Sequence, residues 1–148
     1  EMDDDEYGKS KKKAADYILQ NTTNTKILKT SIIGPELNGN ASLFEWFLSQ
    51  EEDVFGYTKA MWNGCTTLEW AKQCLHLIKN WDNYKILSIL EGEVISKYDM
   101  LCLFKDNFYG KANIIPKELG KNKCLKGDIK TPLLIEQLNE LKSFYYGD

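Results

Sequence analysis

Arginine is missing altogether: all nineteen basic residues are lysine. Its planar fork is the usual tool for bidentate recognition of carboxylate, phosphate and guanine, so base-specific reading of DNA is disfavoured from the start. Histidine occurs once, at position 76, which leaves little for a histidine-centred catalytic or metal site. The four cysteines, Cys65, Cys74, Cys102 and Cys124, form no CxxC pair and no framework spacing. Zinc-finger ligation and a disulfide scaffold are both excluded as organising principles. No apolar run approaches the length of a membrane span, and the first residues are acidic where a signal peptide would be basic. A phosphate loop is absent too, since Gly120-Lys121 lacks the preceding glycine and the following Ser or Thr.

What remains is ordinary for a folded domain. The chain has 148 residues, 43% of them hydrophobic and 28% charged, with a formal net charge of −3. That length and composition predict one domain with one core. The charge is too small to steer a polyanion globally. Position 1 is not Met, which points to a partial or trimmed chain. Two Asn-x-Ser/Thr triplets, at Asn21 and Asn40, arise easily in an Asn-rich sequence, and the cysteine pattern favours an intracellular, cytoplasmic protein with reduced thiols.

Residues 1–13 are a run of acids followed by lysines and read as a disordered charged tail, leaving 14–148 as the domain. Within the tail, Tyr7 sits among Asp3, Asp4, Asp5 and Glu6, surroundings that some tyrosine-modifying enzymes favour; the plain tail reading outweighs that one. Capping boxes at Ser42–Glu45, Ser49–Glu52 and Thr66–Glu69 predict three helix starts. The third opens a helix to about Asn80 whose apolar residues cover most of its circumference, the signature of a central helix. Asp82 is read as the cap of a helix bearing Ile86, Ile89 and Leu90, followed beyond Gly92 by another with Val94, Tyr98 and Leu101. Met100–Phe104 reads alternatively as a short buried strand. Residues 111–130 form a Lys-rich loop, and Thr131-Pro132 opens a last helix with Leu134, Leu138, Leu141 and Tyr145 on its buried stripe. The fold class that follows is mostly α: a single irregular bundle of about five to seven helices with room for a short strand.

The candidate functional residues are few. Phe44 and Trp46 cannot both point into one core, so one of them becomes a partner-facing anchor. Lys121, Lys123 and Lys126 make the loop basic enough to meet an acidic surface or a phosphate. Cys65, just ahead of a helix start, is the least implausible nucleophile, although no base accompanies it. No metal, cofactor or catalytic group is identified. The composite reading is a non-enzymatic helical interaction or regulatory domain with a protein partner. The alternatives are an enzyme assembled from distant residues and a phosphate-backbone binder using the lysine loop.

Overall fold

The computed structural model describes residues 6–147 and overturns the helical-bundle expectation, because five helices alternate with nine short strands and most of the strands pair in parallel. Parallel pairing needs a long crossover between partners, so each strand's neighbour lies far away in sequence. The principal sheet has the order β1 (Ile27–Lys29), β6 (Leu87–Glu91), β9 (Ile129–Lys130), with Ile27 opposite Leu87 and Leu90 opposite Ile129. Three two-stranded pairs extend the β structure. They are β2 (Ile32–Ile33) with β5 (Cys65–Thr66), β3 (Val54–Tyr57) with β8 (Ile114–Lys117), and the antiparallel β4 (Met61–Trp62) with β7 (Ile95–Ser96).

Two of the three predicted boxes give real N-caps, though without the return bond to the acid: the Ser42 amide donates to Glu36 and the Thr66 amide to Gln137. Ser42 Oγ accepts from the Glu45 amide at the start of α2 (Leu43–Leu48), and Thr66 Oγ1 accepts from the Glu69 amide at the start of α3 (Thr67–Lys79). The middle box fails, because Ser49 closes α2 and the chain then runs into β3 instead of a second helix. In β3 Val54 and Gly56 point inward and Phe55 and Tyr57 outward, a period of two that no helix can satisfy. The helix expected after Asp82 is a short 3-10 turn, Trp81–Asn83, leading into β6, where Ser88 and Leu90 are buried alternately. Met100–Phe104 belongs to a helix, α4 (Lys97–Phe108), capped by Ser96.

The core forms where α2, α4 and α5 (Leu134–Tyr146) meet the strands. Phe44, Phe47, Met100, Phe104, Leu134, Leu138 and Leu141 are all sealed from solvent within it. Phe44 meets Phe104 edge to face at 5.1 Å and Phe108 at 4.9 Å, the geometry the ring quadrupoles favour. By contrast α3 is not central: only Glu69 and Leu77 are buried, and Trp70, Leu75 and Ile78 stand exposed. Residues 6–13, expected as part of a tail, are the first half of α1 (Glu6–Asn21), of which only Ala15 is buried; residues 1–5 of that segment lie outside the described residues. The stretch expected as a loop at 111–130 contains β8 and β9.

Gly64 is where these pieces come closest. A Cβ there would lie 1.9 Å from the Ser31 carbonyl oxygen and 2.5 Å from the Trp62 ring, and the carbonyl is backbone that cannot swing aside. Gly64→Ala is therefore expected to destabilise the fold by about 1–3 kcal/mol through overpacking, measured by urea denaturation. An unchanged midpoint would mean that the β2–β5 junction is looser than described.

Candidate functional site

Two cavities concentrate the polar and aromatic side chains. The first, of about 540 Å³, lies between the start of α1 and the segment Leu28–Ile32, with Trp70 of α3 on its wall. Tyr7 and Lys11 are one helical turn apart on α1, a spacing that stacks side chains on the same face. The Lys11 ammonium stands over the Tyr7 ring at 5.4 Å from its centroid. Thr30 and Ser31 follow immediately on the carboxyl end of β1, the end of a parallel strand at which ligands of open α/β sheets bind. A phenol, an ammonium and two hydroxyls are thus gathered around one opening. Tyr7 is 70% exposed, so a ligand entering the cavity meets its hydroxyl without displacing the fold.

Behind that opening the wall is fixed by the backbone. Cys65 N donates to Ser31 O at 2.9 Å, and Thr30 Oγ1 donates to the same carbonyl at 3.1 Å while lying 3.7 Å from Cys65 Sγ. Cys65 is fully buried, and burial pushes its thiol up to about 11. A thiolate is the reactive form, so the helix-start position noted in the sequence does not activate this cysteine.

The second cavity, of about 380 Å³, is formed by α2, β3 and the start of α4. Trp46, Phe55 and Tyr57, exposed by 36, 53 and 40%, give it aromatic walls, and Gln50, Asp53 and Lys97 give it polar groups. Outward alternation along β3 places Phe55 and Tyr57 on the same side. Lys117, from the neighbouring strand β8, holds its ammonium 4.6 Å from the Phe55 ring centre.

Of the residues singled out in the sequence, Trp46 lines this second cavity, whereas Phe44 is the member of that pair that enters the core. Lys121, Lys123 and Lys126 lie between β8 and β9 and line neither cavity. Their segment is tied down by the Asn63 side chain, which donates to Leu125 O at 2.6 Å and accepts from Leu125 N at 2.7 Å. His76 packs edge-on against Tyr84, 6.0 Å between ring centres, away from both cavities. Among the described residues no three His, Cys, Asp or Glu side chains converge on a common point. The pairs that sequence reasoning passed over, Tyr7 with Lys11 and Phe55 with Tyr57, each carried a signal: a four-residue spacing in a presumed tail, and a two-residue alternation in a presumed helix.

Strands that pair in parallel with helices between them define an α/β fold, with an opening at the carboxyl end of β1. No family model and no curated protein matches the sequence. Solved structures do match the fold. A dTDP-4-dehydrorhamnose reductase from Bacillus anthracis in complex with NADP superposes with a TM-score of 0.78 at 14% identity, over 94% of this chain and 55% of that one. The ortholog from Clostridium acetobutylicum gives 0.73 at 18% identity, over 93% and 55%. A GDP-D-glycero-L-gluco-heptose synthase from Campylobacter jejuni, solved in the presence of NADPH, gives 0.58 at 12% identity, over 93% and 60%. The chain thus has the fold of somewhat more than half of each of these enzymes. The reading as a non-enzymatic helical interaction or regulatory domain falls with the bundle on which it rested.

The buried thiol provides a direct check of the site wall. Cys65 is expected to resist alkylation by iodoacetamide at pH 8 in the folded protein and to react once the chain is unfolded, as read by peptide mass spectrometry. Because its folded value is raised, the associated stability is full below the ordinary thiol range and is lost as pH climbs through about 11. Rapid labelling of Cys65 at pH 8 would contradict this placement.

Proposed function

We propose that this chain is the substrate-side portion of a reductase acting on a carbonyl group of a nucleotide-linked sugar, with Tyr7 as proton donor and Lys11 beside it. The observation that carries the reading is the placement of Tyr7 and Lys11 in a cavity at the carboxyl end of β1. Reduction of a carbonyl leaves an oxyanion, which needs a proton at its oxygen. A phenol supplies that proton, and the adjacent ammonium stabilises the phenolate left behind. Thr30 and Ser31, across the opening, are placed to orient the sugar by hydrogen bonding. The aromatic cavity is assigned the nucleoside: its volume suits a base with its ribose, and rings such as Trp46, Phe55 and Tyr57 stack on the flat face of any base.

The two dehydrorhamnose reductases and the heptose synthase named above support the substrate class by their names and the cofactor by their NADP and NADPH. This chain itself does not fit a dinucleotide's pyrophosphate. It contains no GxGxxG stretch, so the glycine-cradled phosphate turn at a helix start has no counterpart here. Cofactor binding is assigned to a second unit corresponding to the rest of those structures, and this is the protein partner we propose. Among the described residues β1 pairs only with β6, leaving its outer edge open to a further parallel strand. Trp70, Leu75 and Ile78 on α3 and Tyr17 and Leu19 on α1 are apolar surface for such a unit to cover. Four free cysteines suit a reducing, cytoplasmic setting, which we include in the proposal. No helix among the described residues is long and apolar enough to cross a membrane.

The test is reduction of a nucleotide-linked ketosugar by a polypeptide joining this chain to its cofactor-binding portion, followed by NADPH absorbance. Tyr7→Phe is expected to lower kcat by about 10²- to 10⁴-fold, the range of a lost general acid, with KM little changed. Full turnover in Tyr7→Phe would assign the proton to another group.

A further inference from the structure

We infer that the aromatic end of α4 and α5 is a contact between two copies of this chain, formed around Tyr109, Phe144, Tyr145 and Tyr146. None of these rings lines either cavity, so the contact is independent of the reductase reading. The rings are anchored from within. Phe44, sealed in the core, meets Phe108 at 4.9 Å, and Phe108 meets Tyr146 at 5.9 Å. Tyr146 meets Tyr145 at 6.4 Å, and Tyr145 meets Phe144 at 5.1 Å. A continuous run of ring contacts thus carries the rigidity of the core out to the surface. There Tyr109, Phe144, Tyr145 and Tyr146 are exposed by 80, 67, 49 and 59%. With about 200 Å² for a whole aromatic side chain, they present roughly 500 Å² of ring surface. An apolar patch of that size marks a site of contact.

The backbone at Tyr109 points the same way. This residue follows the last turn of α4 with φ 56° and ψ 41°, the one non-glycine residue with positive φ among the described residues. Glycine takes that left-handed conformation without strain and is the usual residue there, whereas a tyrosine crowds its Cβ against its own backbone. Within the chain the ring gains little, being largely in solvent with the Lys142 ammonium 4.8 Å from its centre. Strain kept for a ring that the chain itself leaves exposed is explained by a surface that uses the ring.

The occupant is a second copy because the patch complements itself. Aromatic rings pair with like rings, offset or edge to face. Beside them stand one cation, Lys142, and one carboxylate, Glu45; burial, and next the Glu45 charge, push the Tyr146 phenol up. A two-fold axis through the patch lets the ammonium of each copy face the carboxylate of the other. A strongly acidic or basic partner meets one attraction and one repulsion there. Two such patches bring together roughly 1,000 Å², the lower limit for a specific interface, so the pair is weak and reversible.

The experiment is sedimentation equilibrium of the chain from about 1 to about 200 µM, a range around the affinity of so small an interface. Tyr109→Gly and Tyr145→Lys alter the patch, the latter by adding like charges across the axis. Leu75→Lys is the control on the surface assigned to the cofactor-binding unit, and circular dichroism is recorded on each variant. A dimer is expected whose dissociation constant rises at least about tenfold in the two patch variants and stays within about threefold in Leu75→Lys. At about 1 µM, where the copies are apart, Tyr109→Gly is expected to unfold at a urea midpoint no lower than that of the unmodified chain, because strain is relieved while association is lost. No association at about 200 µM, or a dimer that survives both patch variants, overturns the contact. A dimer lost in Leu75→Lys alone places self-association on α3 and overturns it as well.

Discussion

Four consecutive residues, Asn63 to Thr66, fasten together the segments at Ser31, Gly92, Leu125 and Gln137, and the constraint on which they depend is a backbone bare enough to be approached closely. Asn63 accepts from the Gly92 amide at 2.8 Å through its carbonyl and grips Leu125 with its side chain. Gly64 leaves room for the Ser31 carbonyl, and Gly92 leaves room for the Gly64 carbonyl. Cys65 donates to Ser31, and Thr66 donates to the buried Gln137 amide oxygen at 2.8 Å while its hydroxyl caps α3. Gln137 in turn donates to Pro132 O at 2.8 Å, so the start of α5 is fixed by the same junction. Asn63, Cys65, Thr66 and Gln137 are buried, and a buried polar group left without its partner is costly, so these bonds hold the junction firmly.

That junction stiffens the wall of the first cavity, and the phenylalanine core supports the second. Ser31, whose carbonyl Cys65 and Thr30 share, stands between the Tyr7 opening and the core. On the other side, the aromatic cavity is carried by α2 and α4, which bury Phe44, Phe47 and Phe104 against one another, so the exposed rings above them rest on a packed base. Gly56 contributes in a different way. A Cβ there would lie 2.7 Å from the Tyr98 ring, so the strand bearing Phe55 and Tyr57 is drawn close onto α4.

Much of the helical structure was legible in the sequence, and the sheets were not, for identifiable reasons. A capping box is a local signal: Ser42 and Thr66 bond to amides three residues on, and nothing distant is needed to see it. Ser49 shares the pattern but lacks the apolar periodicity beyond it, and the Val54–Tyr57 alternation was the stronger evidence. Strands of two to five residues are too short to display a period, and their partners sit from about thirty residues away, as for Ile32 with Cys65, to about sixty, as for Ile27 with Leu87. Leu134, Leu138 and Leu141 were read correctly as a buried stripe because α5 packs one face against one core, whereas Tyr145, placed on the same stripe, and much of the apolar surface of α3 stand exposed. For the candidate site, the sequence showed that one of Phe44 and Trp46 is exposed but not which; the structure exposes Trp46. Tyr7 was masked by the charges around it, since a solvated tail and an exposed first helix have the same composition.

Helix α1 has one buried residue, Ala15, in sixteen, and its first turn bears the proposed proton donor. A helix so lightly buried takes its bearing in part from whatever rests on its other sides. On the reading advanced above, the phenol would be brought to its final aim by the unit that binds the cofactor, and substrate would be held before the means of reducing it is assembled. Chemistry would then be licensed by assembly, with the idle state kept inert by the geometry of one loosely seated helix.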